Sequence, residues 1–91
     1  MTVSHDLSEQ VTVITGASSG IGTAIAKRFA AAGSRVALAA RREEKLREVA
    51  AAVESEGGEA LVAPTDVTDY GEVERLVRTT LDRFGRIDHL I

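Results

Sequence analysis

The sequence predicts an α/β fold built on a doubly wound parallel sheet, and three observations carry that expectation. Short apolar runs alternate with amphipathic stretches in the order β-α-β-α-β-α-β. The runs are almost continuously apolar, as strands buried on both faces require. A glycine-rich turn, Thr15-Gly16-Ala17-Ser18-Ser19-Gly20-Ile21-Gly22, joins the first run to the first helical stretch. Right-handed crossovers then restrict the sheet to the order 3-2-1-4. That order puts the glycine turn at the carboxyl end of the first strand, at the switch point where open α/β sheets bind ligands.

The elements follow in order. Residues 10–15 form the first strand around Val11-Thr12-Val13-Ile14. Residues 19–32 form a helix with Ile21, Ile25 and Phe29 on one stripe and Gly33 as its stop. Residues 35–40 are the second strand. In the helix over 43–56, Leu46, Val49, Ala50 and Val53 recur at i, i+3, i+4 and i+7, and Gly57-Gly58 ends it. Residues 60–63 are the third strand. A third helix over 69–84 carries Val73, Leu76, Val77, Leu81 and Phe84 on one side, and Asp69 with Glu72 forms a capping box at its start. Gly85 ends that helix, and the fourth strand begins at Asp88-His89-Leu90-Ile91, inside which the sequence stops. Residues 1–9 are polar and expected to be loosely ordered. The third helix should cover its face of the sheet alone, leaving apolar surface and an open edge at the fourth strand.

Composition limits the function classes. The 91 residues are 44% hydrophobic and 27% charged with a net charge of -3, so one small domain is the upper bound and no basic patch points to nucleic acid. There is no cysteine, which excludes disulfides and thiolate metal sites and suits a cytoplasmic protein. No signal peptide is visible. The longest apolar run, Val36-Ala37-Leu38-Ala39-Ala40, is far short of the roughly 20 residues a membrane span needs.

The glycine turn has the context of a nucleotide-binding loop, between a strand and a helix N-terminus. Gly16 lets the chain turn out of the strand, Gly20 lets backbone approach a phosphate, and Gly22 permits close packing of the helix on the strand. Exposed N–H groups and the helix dipole favour a diphosphate there, with Ser18 and Ser19 adding hydroxyls. A P-loop is excluded because no Gly-Lys-Ser/Thr follows.

The same segment resembles the signature of the short-chain dehydrogenase/reductase family, in the branch with TGxxxGxG spacing. Val36-Ala37-Leu38-Ala39-Ala40-Arg41-Arg42, Asp66-Val67-Thr68 and Phe84-Gly85-Arg86-Ile87-Asp88 also sit where that family has similar residues. The resemblance runs from about residue 7 to the end, and 3-oxoacyl-acyl-carrier-protein reductases are among the similar proteins. It implies that residues 1–91 are the N-terminal portion of a Rossmann-type dinucleotide-binding domain, partial and truncated in its fourth strand. It also implies a nicotinamide dinucleotide bound by Gly16, Ser18, Ser19, Gly20, Ile21 and Gly22. Asp66 would contact the adenine amino group and Val67 the adenine ring, although Asp66 also reads as a cap for the turn into the third helix.

The residue ending the second strand selects the cofactor. An acid there binds the free 2′-hydroxyl of NAD, whereas arginine accommodates the 2′-phosphate of NADP. Arg41 lies 19 positions beyond Gly22, Arg42 follows it, and no acid occupies the strand end. Two cations ahead of a helix N-terminus are disfavoured by its dipole, and a ligand phosphate accounts for them better than solvent does. NADP is therefore expected over NAD.

The resemblance implies carbonyl reduction or alcohol oxidation by hydride transfer, with a tyrosine as proton donor, a lysine four residues on, a serine and an asparagine. None is identifiable here. The one tyrosine, Tyr70, is followed four positions later by Glu74, and the family's Asn-Asn-Ala-Gly segment would begin beyond Ile91. No catalytic residue and no metal site are assigned, since His5 and His89 have no ligand partners at suitable spacing. The family's oligomer interface would also come from the missing half. The chain thus reads as the NADP-binding half of a short-chain oxidoreductase, catalytically incomplete alone. The alternative is a non-catalytic nucleotide-binding or interaction module. A methyltransferase is disfavoured by Arg41 where an acid would be wanted.

Overall fold

The computed structural model describes residues 8–91. The loosely ordered tail expected over 1–9 therefore falls outside the described residues up to residue 7, and His5 with it. Strand β1 is Val11–Thr15, followed by helix α1, Gly20–Ala31, strand β2, Arg35–Ala40, and helix α2, Glu43–Ser55. Strand β3, Ala60–Pro64, helix α3, Tyr70–Phe84, and strand β4, His89–Leu90, complete the order. The sheet is parallel with order β3-β2-β1-β4, as the alternation of elements predicts. Val13 stands beside Ala37, and Ala37 beside Leu61, so the two central strands align residue for residue with their neighbours.

Two cores sandwich this sheet because successive strand residues point to opposite faces. Ile14, Val36, Leu38 and Ala60 join Ala26, Leu46, Val49 and Val53 on the face covered by α1 and α2. Val13, Ala37, Ala39 and Ala63 meet Leu76 of α3 on the other. Ile14, Leu38 and Leu46 are fully buried, each contributing about 1.5–3 kcal/mol. The α1–α2 face thus holds most of the large apolar side chains, and the α3 face is built mainly on alanine.

The α1 stripe differs from expectation. Gly22 and Ala26 are the buried residues of the helix, Ile25 and Phe29 are partly buried, and Ile21 is 77% exposed. The buried line of the helix runs through Gly22 and Ala26, and Ile21, about 100° around from Gly22, faces solvent. Helix α3 also departs from the stripe read in the sequence. Leu76, Thr80 and Phe84 are buried, whereas Val77 and Leu81 are 41% and 43% exposed. One helix alone on a sheet face buries only its i, i+4, i+8 line, and the positions about 100° around stay open. These residues line an open groove of about 430 Å³ with Tyr70, Val73, Glu74, Arg78 and Asp82. It contains no residue of the glycine turn.

Strand β4 is fixed to β1 by more than its ladder. The Asp88 carboxylate accepts from the Val11 N–H at 2.8 Å, and its own N–H donates to the Val11 carbonyl. His89 sits against Gln10 Oε1 at 2.6 Å and meets the Phe29 ring edge-on. Arg86 forks onto Asp88 at 2.7 and 2.9 Å. The Arg86 hydrogen bond first, then the Val11 amide, holds the Asp88 carboxyl below the ordinary carboxylate range.

Candidate functional site

The glycine turn leaves β1 at Gly16, whose φ of +64° is open to glycine at no steric cost. The chain then folds back on itself. The Ser19 hydroxyl donates to the Gly16 carbonyl at 2.8 Å and accepts from the Gly22 N–H at 3.0 Å, capping α1. The Thr23 hydroxyl donates to the Ala17 carbonyl at 2.9 Å. A Cβ on Gly22 would stand 2.1 Å from the Gly16 oxygen and 3.0 Å from the Ala17 Cα. The close approach that Gly22 permits is therefore helix against turn backbone, rather than helix against strand.

Gly20 is different. A Cβ there would meet nothing within 4 Å. The Gly20 and Ile21 N–H groups have no acceptor among the described residues, and the Ser18 hydroxyl has no partner among them. The turn thus spends Ser19, Thr23 and Gly22 on its own shape and leaves Ser18, Gly20 and Ile21 facing outward with donors free.

The strand ends bring the remaining candidates to this turn. The Ala17 N–H donates to the Ala39 carbonyl at 3.2 Å, which locks the turn to the end of β2. Two residues further on lies Arg41. The Thr65 N–H donates to the Ala40 carbonyl at 2.8 Å, drawing the chain after β3 alongside. Arg41 Nη2 then reaches Asp66 Oδ1 at 3.3 Å. Glycine turn, Arg41 and Asp66 therefore share the carboxyl edge of the sheet. Arg42 stands next to them as the N-cap residue of α2, its side chain exposed and without a hydrogen bond or ion pair among the described residues, while its carbonyl accepts from the Leu46 N–H.

Asp66 does what a turn-capping aspartate does. Its Oδ1 accepts from the Thr68 N–H at 2.9 Å and the Thr68 hydroxyl at 2.6 Å. Those two bonds, and then the Arg41 charge, hold its carboxyl below the ordinary range. Its Oδ2 makes no bond among the described residues. Val67 beside it is 54% exposed. The capping box is half formed. Asp69 Oδ1 accepts from the N–H groups of Gly71 and Glu72 at 2.9 and 3.3 Å, but Glu72 Oε1 reaches past it to the Asp66 N–H at 2.8 Å. Glu72 thereby anchors the Asp66 loop to α3. The sequence reading missed Thr68 and Glu72 in this role. The Asp-x-Thr spacing of an Asx turn was the available signal for Thr68.

Tyr70 is 79% exposed on the first turn of α3, apart from the glycine turn's neighbours, and no described residue contributes to a group of three or more metal-ligating side chains. No helix among the described residues is long and apolar enough to cross a membrane.

The chain is similar to known proteins over nearly its whole length. It is 49% identical over 82 residues to a fatty acyl-CoA reductase of Acinetobacter baylyi, covering 90% of this chain and 28% of that protein. A metagenomic short-chain oxidoreductase solved in complex with NADP superposes with a TM-score of 0.89 at 42% identity, over 93% of this chain and 38% of that one. A short chain dehydrogenase/reductase from Burkholderia phymatum in complex with NAD gives a TM-score of 0.89 at 33% identity, over 93% of this chain and 30% of that one. The chain spans less than two-fifths of the length of each of these relatives. The short chain dehydrogenase family model matches residues 10–91. With that match running through every strand and helix from β1 to β4, the chain belongs to the short chain dehydrogenase family.

Proposed function

We propose that residues 1–91 form the N-terminal, dinucleotide-binding portion of a short-chain oxidoreductase that uses NADP in preference to NAD. The whole protein would interconvert a carbonyl and an alcohol, with the nicotinamide supplying or receiving the hydride when bound. The residues present fit the adenosine and diphosphate end of such a cofactor. The N–H groups of Gly20 and Ile21 have no acceptor among the described residues, and a side chain at residue 20 would enter open space beside them, which suits a diphosphate at a helix N-terminus. The Ser18 hydroxyl adds a donor, and Ser19 and Gly22 hold the turn in shape. The free Asp66 Oδ2 suits the adenine amino group, and exposed Val67 suits the ring. A cytoplasmic site of action belongs to the same reading, on the cysteine-free composition.

One observation carries the choice of NADP. Arg41 and Arg42 follow the strand whose Ala39 carbonyl is bonded to the glycine turn, and no acid occupies the strand end. An acid there would bind the ribose 2′-hydroxyl, whereas a guanidinium binds a 2′-phosphate. The Arg41–Asp66 pair does not compete seriously, because its arginine is 72% exposed and such surface pairs are worth about 0–1 kcal/mol. Calorimetric titration of Arg41→Ala should show NADP binding weakened by about tenfold, or about 1.4 kcal/mol, with NAD changed by less than about twofold. Equal losses for the two would remove the basis for the assignment.

A further inference from the structure

The turn that carries Asp66 is held by several bonds, and they differ in what they fasten it to. The Thr68 N–H and hydroxyl bind Asp66 Oδ1, and the Asp69 N–H donates to the Asp66 carbonyl at 3.0 Å. Those bonds are internal to the turn, so they shape it without fixing where it points. Arg41 reaches Asp66 at 3.3 Å from a side chain that is itself exposed. The Asp66 N–H instead donates to Glu72 Oε1 at 2.8 Å, which ties Asp66 to the body of α3. The N–H that a capping-box glutamate would take, that of Asp69, is already on the Asp66 carbonyl, and the Glu72 carboxylate is left to reach Asp66. Glu72 also stands on a firm base. Leu76, one turn later on the same face of α3, is buried in the core with Val13, Ala37, Ala39 and Ala63. The other partner of Glu72, Arg75, lies 3.8 Å away as a loose surface pair that contributes little.

We propose that Glu72 is a positioning residue for recognition of the cofactor's base. By holding the Asp66 N–H from α3, it sets the direction in which the free Asp66 Oδ2 faces. It thereby governs discrimination between a purine with an amino group at C6 and one with a carbonyl there. The inference rests on the adenine reading of Asp66 above and adds a residue that acts through Asp66 rather than on the ligand. An amino group donates to the carboxylate, whereas a carbonyl sets two acceptors against each other. Hydrogen bonds weaken steeply as their angle departs from linear. A turn free to swing would therefore keep its binding surface and lose its selectivity. Exposed Val67 offers the same apolar contact to either base, so the distinction falls on Asp66 alone.

The experiment titrates the 91-residue protein with NADP and with nicotinamide hypoxanthine dinucleotide phosphate. The two ligands share every phosphate and differ only in the purine, amino against carbonyl at C6. Three variants separate reach from charge. Glu72→Gln keeps the length and an acceptor oxygen but drops the charge. Glu72→Asp keeps the charge at the helix start, where the dipole favours it, but is one methylene short of Asp66. Glu72→Ala has neither. Wild type should favour NADP by about tenfold, as a hydrogen bond to a charged group does. Glu72→Gln should keep that ratio, and Glu72→Asp and Glu72→Ala should bring it within about threefold. Lost stability alone lowers both affinities together and leaves the ratio untouched, so the ratio reads positioning and not folding. If wild type favours NADP and the Asp and Ala variants favour it equally, the inference is overturned and the adenine reading of Asp66 stands. A ratio that follows the charge, kept by Glu72→Asp and lost by Glu72→Gln, overturns it as well. If wild type binds the two ligands equally, or binds neither, the reading of Asp66 fails and this inference fails with it.

Discussion

Gly20 and Gly22, two residues apart, do opposite things, and the difference can be tested. The Cβ missing from Gly22 would collide with the Gly16 carbonyl at 2.1 Å, an atom fixed by Ser19 on one side and β1 on the other. The Cβ missing from Gly20 would enter open space. Gly22→Ala should therefore destabilise the fold by about 1–3 kcal/mol, as overpacking against rigid backbone does. That corresponds to a fall in melting temperature of about 4–8 °C per kcal/mol for a domain of this size. Gly20→Ala should leave the melting temperature unchanged or raise it slightly, since alanine favours helix, yet weaken dinucleotide binding. Thermal melts and titrations on both variants check the pair. Binding unaffected by Gly20→Ala would show that the space above the turn is not where the diphosphate lies. The spacing alone announced both glycines, because only a strand–turn–helix junction needs three of them so close. It could not say that Gly22 packs on the turn and not on the strand, which depends on how the Ser19 cap folds the loop back.

At the scale of elements, the order and type of all seven were legible because the apolar runs and helical stripes are clean, and no boundary moved by more than one residue. The misread stripes have a common cause. Sequence periodicity marks which residues share a helix face, but the neighbour decides how much of that face is covered. Helix α1 buries the line through Gly22 and Ala26 and leaves Ile21 to solvent, while α3 works alone and leaves Val77 and Leu81 open. The place of β4 beside β1 was legible in the strand order, but the bond that fastens it was not, because Asp88 reads as an ordinary polar residue until its carboxylate is seen on the Val11 N–H. That bond gives a pH prediction. The folded carboxyl lies below its ordinary value of 3.8, chiefly through Arg86 and then the Val11 amide. A group with a depressed folded pKa stabilises the fold at pH above its unfolded value, and that contribution is lost as pH falls through the folded value. Stability should therefore drop on acidification below about pH 3.8. Asp88→Asn keeps an acceptor for Val11 but has no proton to take up, so its melting temperature should start lower and fall less steeply over the same range. Parallel slopes for the two proteins would remove Asp88 from the acid response.

At the scale of the whole molecule, every candidate binding residue stands at the carboxyl edge of β1, β2 and β3. The glycine turn, Arg41 and Asp66 are joined there by backbone and side-chain bonds. On the proposed reading all of them would address the adenosine and diphosphate end of a dinucleotide. None of the described residues pairs a tyrosine with a lysine four positions on, since Tyr70 is followed by Glu74. Binding and chemistry should consequently separate in the 91-residue chain. A ligand that binds only the folded state stabilises it by RT ln(1 + [L]/Kd), about 2.7 kcal/mol at a hundredfold excess over Kd. NADP and 2′-phospho-ADP-ribose at equal concentration should raise the melting temperature by equal amounts, because they differ only in the nicotinamide, for which the proposed site offers no partner. Nicotinamide mononucleotide should raise it by nothing measurable. NADPH should be protected from binding competitors yet remain unoxidised when ketones or aldehydes are added, as absorbance at the dihydronicotinamide band would report. A larger shift with NADP than with 2′-phospho-ADP-ribose at the same concentration would reveal a nicotinamide contact outside the proposed site, and oxidation surviving repeated purification would place catalytic groups among the residues proposed for binding alone.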